Sequence, residues 1–419
     1  MSLHAQVQED QLALFRRVQA KISGALENLP RYMCTETIDR SVYHPELPHH
    51  GVCDEVAFQK GTHLSSTDRL RLDVALTSNS EMYSWVGESR FHDRDLLSLI
   101  RDGAISTGSF GAFLKLIFDG DIITYVYKGE QTQGGKKLAE FGFNVAQEDS
   151  HYRYAKMFTA YEGSFLVDSD KAELVRLIVR SSKLPTDSYA CSVSNTLDYS
   201  RVHLKDFDAL LPREVLLRVI HTDGSESNNR TVFSGCHEFL GESTIRYDAA
   251  DEPAAGEGVA RVAAAKPAIA IPAGLQFRVA LVQEVDTETA AAGDPLKAKL
   301  LTPIMDGKKE IAPKGAPVTA RIVRMREYYG RSPSPSALVE IRLDIKLESV
   351  EIAGVSSSLT AVLMNAKGFN KSKPGALNQR MELGMLAGLE ERSVVFQFKN
   401  VRRPYRVRGL ESFWMTSNP

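Results

Sequence analysis

Residues 70–85, LRLDVALTSNSEMYSW, decide the fold of the first half of the chain. Apolar side chains occupy every second position of the first half of this stretch: Leu70, Leu72, Val74 and Leu76. The polar run at 77–80 breaks the alternation, and residues 82–85 resume it with large apolar groups. A period of two is typical of a strand with one buried face, so the stretch predicts a β-hairpin.

Comparable strand–turn–strand units recur downstream as far as Tyr247. They predict a large antiparallel sheet, and so a mainly β chain of the α+β class. The further predicted strands are 32–42, 122–128, 137–145, 152–161, 164–168, 174–179, 193–202, 215–221 and 230–238.

Three helices are predicted beside this sheet. Residues 6–28 carry an apolar stripe spaced by three or four, made of Leu12, Phe15, Val18, Ile22 and Leu26. Residues 92–101 have a broad apolar face. Residues 110–118, FGAFLKLIF, hold only one charge, Lys115, so most of their surface needs cover. The last segment is therefore predicted to be a lid lying across the sheet.

The composition changes abruptly near Asp248. Residues 249–270 are rich in Ala, Gly, Glu and Pro, which is typical of a linker. Alternating segments follow at 271–285, 316–325, 337–350, 393–398 and 410–416. The chain is therefore predicted to contain a sheet domain at 1–248, a linker at 249–270, and a smaller β domain at 271–419.

Composition excludes several functional classes. The net charge of −2 does not favour nucleic-acid binding, and no apolar run is long enough for a transmembrane helix. The four cysteines match no zinc pattern, and the histidine-rich run at 44–50 is interrupted by prolines and is interpreted as an exposed loop. No cofactor or metal is predicted. The sequence gives no indication of an oligomeric state.

Catalytic motifs are also missing from the sequence. It contains no GxSxG elbow, no HExxH pair and no phosphate-binding glycine loop. His92-Asp93 and His237-Glu238 are adjacent pairs, and neighbours on a strand point to opposite faces. The chain is therefore predicted not to be an enzyme, with a hydrolase as an unfavoured alternative.

Several phrases carry a resemblance to known families. LPRYMCTETIDR, LRLDVALTSNSEMYSW, TGSFGAFLKLIF, YEGSFLVD and NRTVFSGCHEFLGESTIRYD resemble exported bacterial proteins of an acidobacterial type, with a sheet-and-helix plan similar to the LolA-like lipoprotein-localisation carriers. The resemblance covers residues 6–248 and implies a half-open barrel with helices in its mouth. IPAGLQFRVALVQEVDTETAAAGDPLKAKL and IAPKGAPVTARIV, within 269–365, are similar to the β-domain of TrbI-type conjugation-channel proteins.

This resemblance implies that the chain is a non-catalytic envelope protein. Its expected partner is a lipid or a lipoprotein acyl chain, bound in the concave face of the sheet. The alternative is a structural or assembly module whose lid fills an ordinary core without a ligand. In the first case the lid would gate an apolar groove. The predicted lining residues are Leu72, Val74, Leu76, Met82, Trp85, Phe110, Phe113, Leu114 and Ile117.

The cellular compartment and the disulfides are predicted together. The first residues lack the basic start and apolar core of a signal peptide, which is compatible with a cytoplasmic protein or with a mature exported form. The family resemblance favours a periplasmic or extracellular location. Cys34 and Cys53 flank a short proline-containing loop, so they are predicted to form a disulfide, while the pairing of Cys191 and Cys236 stays open.

The linker generates a first testable prediction. Residues 248–270 contain few large apolar side chains, so a protease should reach them before it reaches the strands. Limited proteolysis followed by mass spectrometry should locate the first cuts there. First cuts within 70–240 would show that the predicted domain boundary is wrong.

Overall fold

A computed structural model shows a mostly antiparallel β architecture, with two α-helices of known bounds among the residues that it describes. The residues that it describes are 3–27, 32–46, 53, 61–76, 81–88, 91, 96, 100, 102–119, 123–154, 157–182, 184–204, 207–238, 269–330, 338–367, 383–387, 394–399, 405–407 and 409–418. The predicted hairpin turn at 77–80, most of the predicted helix at 92–101 and the linker at 249–268 lie outside these residues. The mainly β fold class predicted from the alternation is confirmed.

Ten strands form the N-terminal sheet, and every neighbouring pair is antiparallel. Their bounds are β1 Tyr32–Pro45, β2 Thr62–Leu76, β3 Glu81–Trp85, β4 Thr124–Gln133, β5 Lys136–Val145, β8 Tyr161–Asp168, β9 Glu173–Ser181, β10 Ala190–Leu204, β11 Phe207–His221 and β12 Glu226–Glu238. The spatial order is β3-β2-β1-β12-β11-β10-β9-β8-β5-β4. The predicted hairpin is present, with Leu72 opposite Trp85 and Leu76 opposite Glu81.

Two helices lie on one face of this sheet, which is called its inner face below. They are α1, Leu3–Glu27, and α2, Ala112–Phe118. Side chains of both helices share one core cluster with residues of β5, β8, β9, β10 and β11, so the sheet curves around them. The buried stripe of α1 is Leu14, Val18 and Ile22, whereas Leu12, predicted to be buried, is 49% exposed. Leu14 is four residues before Val18, which places it on the same helix face.

The predicted strand at 152–161 is wrong. Two short strands, β6 Arg153–Tyr154 and β7 Met157–Phe158, pair only with each other and stay outside the large sheet. The aromatic residues explain the error, because Tyr152 packs against Phe113 and Tyr161 as part of the core, at ring-centroid distances of 6.2 and 5.7 Å. Their apolar character reflects this packing and not a regular strand.

The C-terminal unit is also antiparallel. Its strands are β13 Gln276–Leu281, β14 Val285–Asp286, β15 Pro295–Leu300, β16 Ile304–Asp306, β17 Lys309–Ala312, β18 Pro317–Tyr329, β19 Leu338–Ile352, β20 Val355–Ser358, β21 Ala361–Lys367, β22 Leu383–Ala387, β23 Val394–Lys399, β24 Arg406–Val407 and β25 Glu411–Thr416. Eight of them follow the order β22-β23-β19-β18-β15-β13-β25-β21. A separate apolar core, centred on Phe277, Phe396, Phe398 and Trp414, fills this unit.

The two units meet along the edge of β2 that faces away from β1. Three neighbours occupy this edge: β3 pairs with residues 72–76, Ala292 bridges Leu70, and the end of β18 pairs with residues 66–68. Arg71 N donates to Ala292 O at 2.7 Å, and Ala292 N donates to Arg69 O at 2.8 Å. An unpaired strand edge is a template for aggregation, and here the C-terminal unit covers it.

Buried ion pairs reinforce this seam. Asp68, with a side chain only 4% exposed, accepts hydrogen bonds from Arg40 of its own unit at 2.6 and 2.7 Å and from Arg326 of the other unit at 2.7 and 3.1 Å. The two guanidinium groups hold the pKa of Asp68 below its ordinary value despite the cost of burial. Arg71 forms a second ion pair across the seam, with Asp294.

Two disulfides connect distant parts of the N-terminal unit, and they correct the predicted pairing of Cys34 with Cys53. Cys34 on β1 is bonded to Cys236 on β12, and Cys53 is bonded to Cys191 at the start of β10. Strands β1 and β12 are direct neighbours, which brings the Cα atoms of Cys34 and Cys236 within 4.1 Å. The partner of Cys34 is thus set by sheet pairing over 202 residues and not by nearness in sequence.

Gly293 generates the second prediction, because it is the tightest point of the seam. Its φ is +101°, and an added Cβ would lie 2.1 Å from Arg71 O and 2.8 Å from the Trp85 ring. Gly293→Ala should therefore lower the free energy of unfolding by at least the roughly 1–3 kcal/mol expected for backbone strain alone. Urea denaturation measures the change.

Gly354→Ala is the matched control. Gly354 also has a positive φ, +77°, but an added Cβ there would meet nothing within 4 Å. The difference between the two variants isolates the steric conflict at the seam. Equal losses of stability would contradict the close packing of Gly293 against β2.

Candidate functional site

The inner face of the N-terminal sheet is the candidate site, and its larger part is apolar. Phe165 of β8 is fully buried at the centre of a group of rings. Its ring centroid lies 5.0 Å from that of Phe118 on α2, 5.3 Å from Phe141 and 5.9 Å from Tyr125. Phe15 of α1 packs on Tyr125 at 4.4 Å. We call these five residues the inner aromatic cluster.

Few polar contacts attach the helices to the sheet within the described residues. Lys21 Nζ donates to Lys171 O at 2.6 Å and lies 3.9 Å from Glu173, near the C-terminal end of α1. The Tyr125 hydroxyl donates to Ile117 O of α2. Arg17 Nη2 of α1 donates to Asp170 O at 3.5 Å. Apolar contact supplies most of the remaining attachment, and apolar contact is not directional. The helices could therefore be replaced by another apolar group without leaving many polar groups unpaired.

A buried carboxyl group forms the polar part of the site. Glu36 of β1 is 3% exposed and sits between Leu72 of β2 and Phe233 of β12. Its Oε2 atom has no hydrogen-bond partner in the described part of the chain. Burial, together with the negative charge of Glu81, raises the pKa of Glu36 to about 8. A carboxyl without a partner is costly to bury in its charged form, so Glu36 is protonated at neutral pH.

Three buried tyrosines lie near a second carboxyl group, that of Glu81. Glu81 accepts a hydrogen bond from the Tyr83 hydroxyl at 2.6 Å. Burial raises the pKa of the Tyr32, Tyr83 and Tyr199 hydroxyls, and the charge of Glu81 raises each of them further. The Tyr32 and Tyr199 hydroxyls are buried and have no hydrogen-bond partner among the described residues.

The segment 102–111, which we call the covering loop, closes this polar part and leads into α2. Glu81 accepts hydrogen bonds from the backbone N–H groups of Gly108 at 2.7 Å and Phe110 at 3.0 Å. The Phe110 ring then packs edge-on against Tyr32 at 5.5 Å and Phe233 at 4.7 Å. One carboxylate on β3 therefore fixes the end of the loop that carries Phe110.

Residues of both units hold the other end of the covering loop. Arg40 Nη1 donates to Asp102 O at 2.7 Å, and Arg326 of β18 forms an ion pair with the Asp102 carboxylate at 2.9 Å. Asn229 Nδ2 of β12 donates to Ala104 O at 2.6 Å. The C-terminal unit thus contributes directly to the closure of the N-terminal inner face.

The nine residues predicted to line one groove are divided between two core clusters. Leu72, Val74, Leu76, Trp85 and Phe110 belong to the cluster beneath the hairpin. Phe113, Leu114 and Ile117 belong to the cluster around α1 and the inner aromatic cluster. Met82 lies half-buried on β3. The prediction that the lid helix rests on the hairpin is therefore corrected, because α2 packs against α1 and the opposite half of the sheet.

Sequence reasoning missed Glu36, although the sequence contained a signal for it. Along β1 the buried positions are Tyr32, Cys34, Glu36, Ile38 and Arg40. An acidic residue in the register of buried residues marks a polar group that the fold must place inside. The contributions of Glu81 and Tyr199 were not visible in the sequence, because both come from strands far away along the chain.

The outer face of the same sheet carries a groove of about 730 Å³. Three arginines and several serines lie among its lining residues, together with apolar side chains such as Leu216 and Ile220. Two of the arginines are already paired, Arg218 with Glu226 at 2.7 Å and Arg230 with Glu214 at 2.8 Å. None of the nine residues predicted to line the apolar groove is among its lining residues.

The described residues contain neither a metal-binding cluster nor a membrane-spanning helix. No group of three or more His, Cys, Asp or Glu side chains is arranged to hold a metal ion. Nδ1 of His63 lies 3.5 Å from the Glu46 carboxylate, and the His63 ring centroid lies 6.5 Å from that of His44. Residues 47–50 of the histidine-rich run at 44–50 lie outside the described residues. None of the described helices has the length and hydropathy needed to cross a bilayer.

Comparisons with known proteins identify similar structures but no family. No family model matches the chain, and no curated protein matches it. A DUF1329 family protein from Desulfovibrio piger is similar at 10% identity and a TM-score of 0.27, covering 55% of this chain and 94% of that one. A LolA superfamily protein from Nitrosomonas europaea is similar at 8% identity and a TM-score of 0.27, covering 55% and 98%.

A third similar structure is a candidate outer membrane lipoprotein-sorting protein domain from Vibrio parahaemolyticus. It has 7% identity, a TM-score of 0.28, and coverage of 54% of this chain and 93% of that chain. None of these three structures is described as TrbI-like, so the resemblance of the C-terminal unit remains a prediction.

Glu36 generates the third prediction, a pH dependence of stability. The folded state keeps the proton of Glu36 up to a pH of about 8, whereas the unfolded chain releases it near the ordinary value of 4.5. The folded state therefore binds more protons between these values, and stability falls as the pH rises, by up to about 1.4 kcal/mol per pH unit. Urea denaturation at pH 5, 6, 7 and 8 measures this slope.

Glu36→Gln should flatten the slope between pH 5 and 8, because glutamine does not titrate. Glu162→Gln is the matched control, since Glu162 is an exposed residue of β8 and undergoes the same change. It should leave the slope as in the wild type. An unchanged slope in Glu36→Gln would contradict the buried, protonated state of Glu36.

Proposed function

We propose that this protein is a non-catalytic binding protein for an apolar ligand, such as a lipid or the acyl chain of a lipoprotein, and that the ligand occupies the inner face of the N-terminal sheet. The supporting observation is the way this face is covered. A helix of 25 residues and a helix of seven residues lie over the inner aromatic cluster and are attached mainly by apolar contacts.

An acyl chain would bind by taking the place of α2 or α1. Phe113, Leu114, Ile117 and Phe118 of α2 are all at most 5% exposed. Burial of each such side chain contributes roughly 1.5–3 kcal/mol, and an acyl chain in the same position would restore a comparable apolar contact. The closed form is then the ligand-free state, with α2 filling the site that the ligand takes.

An extracytoplasmic location fits this proposal. The described residues contain two disulfides and no free cysteine. Structural disulfides form and persist in oxidising compartments such as the periplasm. An envelope compartment is also where a binding protein meets lipids and lipoproteins.

A structural module without a ligand is the second candidate. The observation that favours it is the packing of the inner aromatic cluster, in which the Phe118 ring of α2 contacts the Phe165 ring edge-on at a centroid distance of 5.0 Å. In that case α2 is a permanent part of the core. The two candidates differ in what happens when α2 is loosened, and this difference is the basis of the test.

Phe113→Ala provides the fourth prediction. Phe113 is 5% exposed on α2, and its truncation should weaken the closed form. A binding protein would then open more readily, so an uncharged apolar dye such as N-phenyl-1-naphthylamine should bind about tenfold more tightly, which corresponds to about 1.4 kcal/mol of lost closure energy. Fluorescence titration of the full chain measures the affinity, and urea denaturation measures the stability.

Leu216→Ala is the matched control, because Leu216 is 43% exposed on the outer face of β11. It removes a similar side chain and should change neither affinity nor stability appreciably. If neither the wild type nor Phe113→Ala shows saturable binding, while Phe113→Ala loses about 3–5 kcal/mol of stability, α2 is a permanent part of the core. That result would overturn the binding function in favour of the structural module.

A further inference from the structure

The polar part of the inner face contains three buried polar atoms that bind nothing in the described part of the chain. They are the Tyr32 hydroxyl, Glu36 Oε2 and the Tyr199 hydroxyl. Buried polar atoms in native proteins nearly always have a partner, so three in one region require an explanation. A missing ligand group is one, because it would supply the partners that the protein does not.

The ionisable side chains of this region that the structure describes are acidic and have no basic partner. Glu36 and Glu81 lie on the same face of the sheet, opposite Leu72 and Leu76 of β2, and the charge of Glu81 acts on Glu36 and on the three tyrosines. Among the described residues, no lysine, arginine or histidine forms an ion pair with either carboxyl group. Arg40 lies on the same face of β1, but its guanidinium group forms an ion pair with Asp68 at 2.6 Å. A cation would therefore find two carboxyl groups without a basic partner.

Aromatic rings lie close to the same two carboxyl groups. The Tyr83 hydroxyl donates to Glu81, the charge of Glu81 also acts on Tyr32 and Tyr199, and the Phe110 ring packs edge-on against Tyr32 at 5.5 Å. The face of an aromatic ring attracts a cation, and several rings together recognise substituted ammonium groups. A small metal ion is less suited to such surroundings, since hard metal ions require several oxygen ligands at short distance.

We propose that this polar part is a binding site for an ammonium group, held by Glu36 and Glu81 within the rings of Tyr32, Tyr83, Tyr199 and Phe110. The inference rests on the proposed function and deepens it, because it assigns a cationic head group to the apolar ligand. The tail would lie along the inner aromatic cluster, and the head would lie beneath the covering loop. On binding, Glu36 loses its proton and becomes the counter-ion of the ammonium group.

The covering loop provides the route to this site. Phe110 is attached to Glu81 through its backbone N–H at 3.0 Å, and the loop continues directly into α2. Displacement of α2 by a tail therefore pulls on the segment that covers the polar part. Opening of the apolar part and exposure of the head-group site are coupled through one short stretch of chain.

Three probes with the same tail test the inference: decyltrimethylammonium, decanol and decanoate. Each is titrated below its micelle-forming concentration into the wild type, Glu36→Gln and the control Glu162→Gln, by isothermal titration calorimetry at pH 7. We expect the ammonium probe to bind about tenfold more tightly than decanol, and decanoate more weakly than decanol. Glu36→Gln should remove the advantage of the ammonium probe and leave decanol binding intact, whereas Glu162→Gln should behave as the wild type.

Proton release gives a second readout that is specific for Glu36. If the carboxyl ionises on binding, the measured heat for the ammonium probe changes with the ionisation enthalpy of the buffer in the wild type and not in Glu36→Gln. Equal binding of all three probes would overturn the head-group inference and leave the apolar binding function standing. No binding of any probe would overturn both.

Discussion

The inner face of the N-terminal sheet must be covered, and most of the structure follows from this requirement. Alternation along ten strands places apolar side chains on that face, and the curvature of the sheet makes it concave. A single amphipathic helix is too narrow to cover it, so α2 and the covering loop extend the cover towards β3. Even the C-terminal unit takes part, since Arg326 binds Asp102 at the start of the covering loop.

Local patterns predicted the elements well because each depends on a short stretch of chain. The hairpin at 70–85, the helix α1 and the long strands β10 and β19 all show their period in the sequence. Pairing between distant elements could not be predicted in this way, because no local sequence pattern indicates it. The partner of Cys34 illustrates this, since β12 pairs with β1 although the two cysteines are 202 residues apart in the sequence.

The candidate site was predicted only in part for the same reason. The apolar character of residues 110–118 was visible, and their burial is seen in the structure. Which surface they contact depends on the curvature of the sheet, and that curvature brings α1 and β8 to α2 instead of the hairpin. Glu36 could have been noticed as an acidic residue in a buried register. Its nearness to Glu81 and the tyrosines depends on how distant strands pair, and the sequence does not show this.

The Cys34–Cys236 bond has a mechanical consequence. It joins the first and the last strand of the N-terminal sheet, so the chain between these residues is a covalently closed ring. Tension carried along the covalent chain from α1 to the residues after Cys236 would pass through the sulfur–sulfur bond and bypass the strands inside the ring. The sheet would keep its length and curvature under such a load, while α1, which lies outside the ring, could be pulled away from the inner face. A pull on α1 could then uncover the inner face without unfolding the sheet.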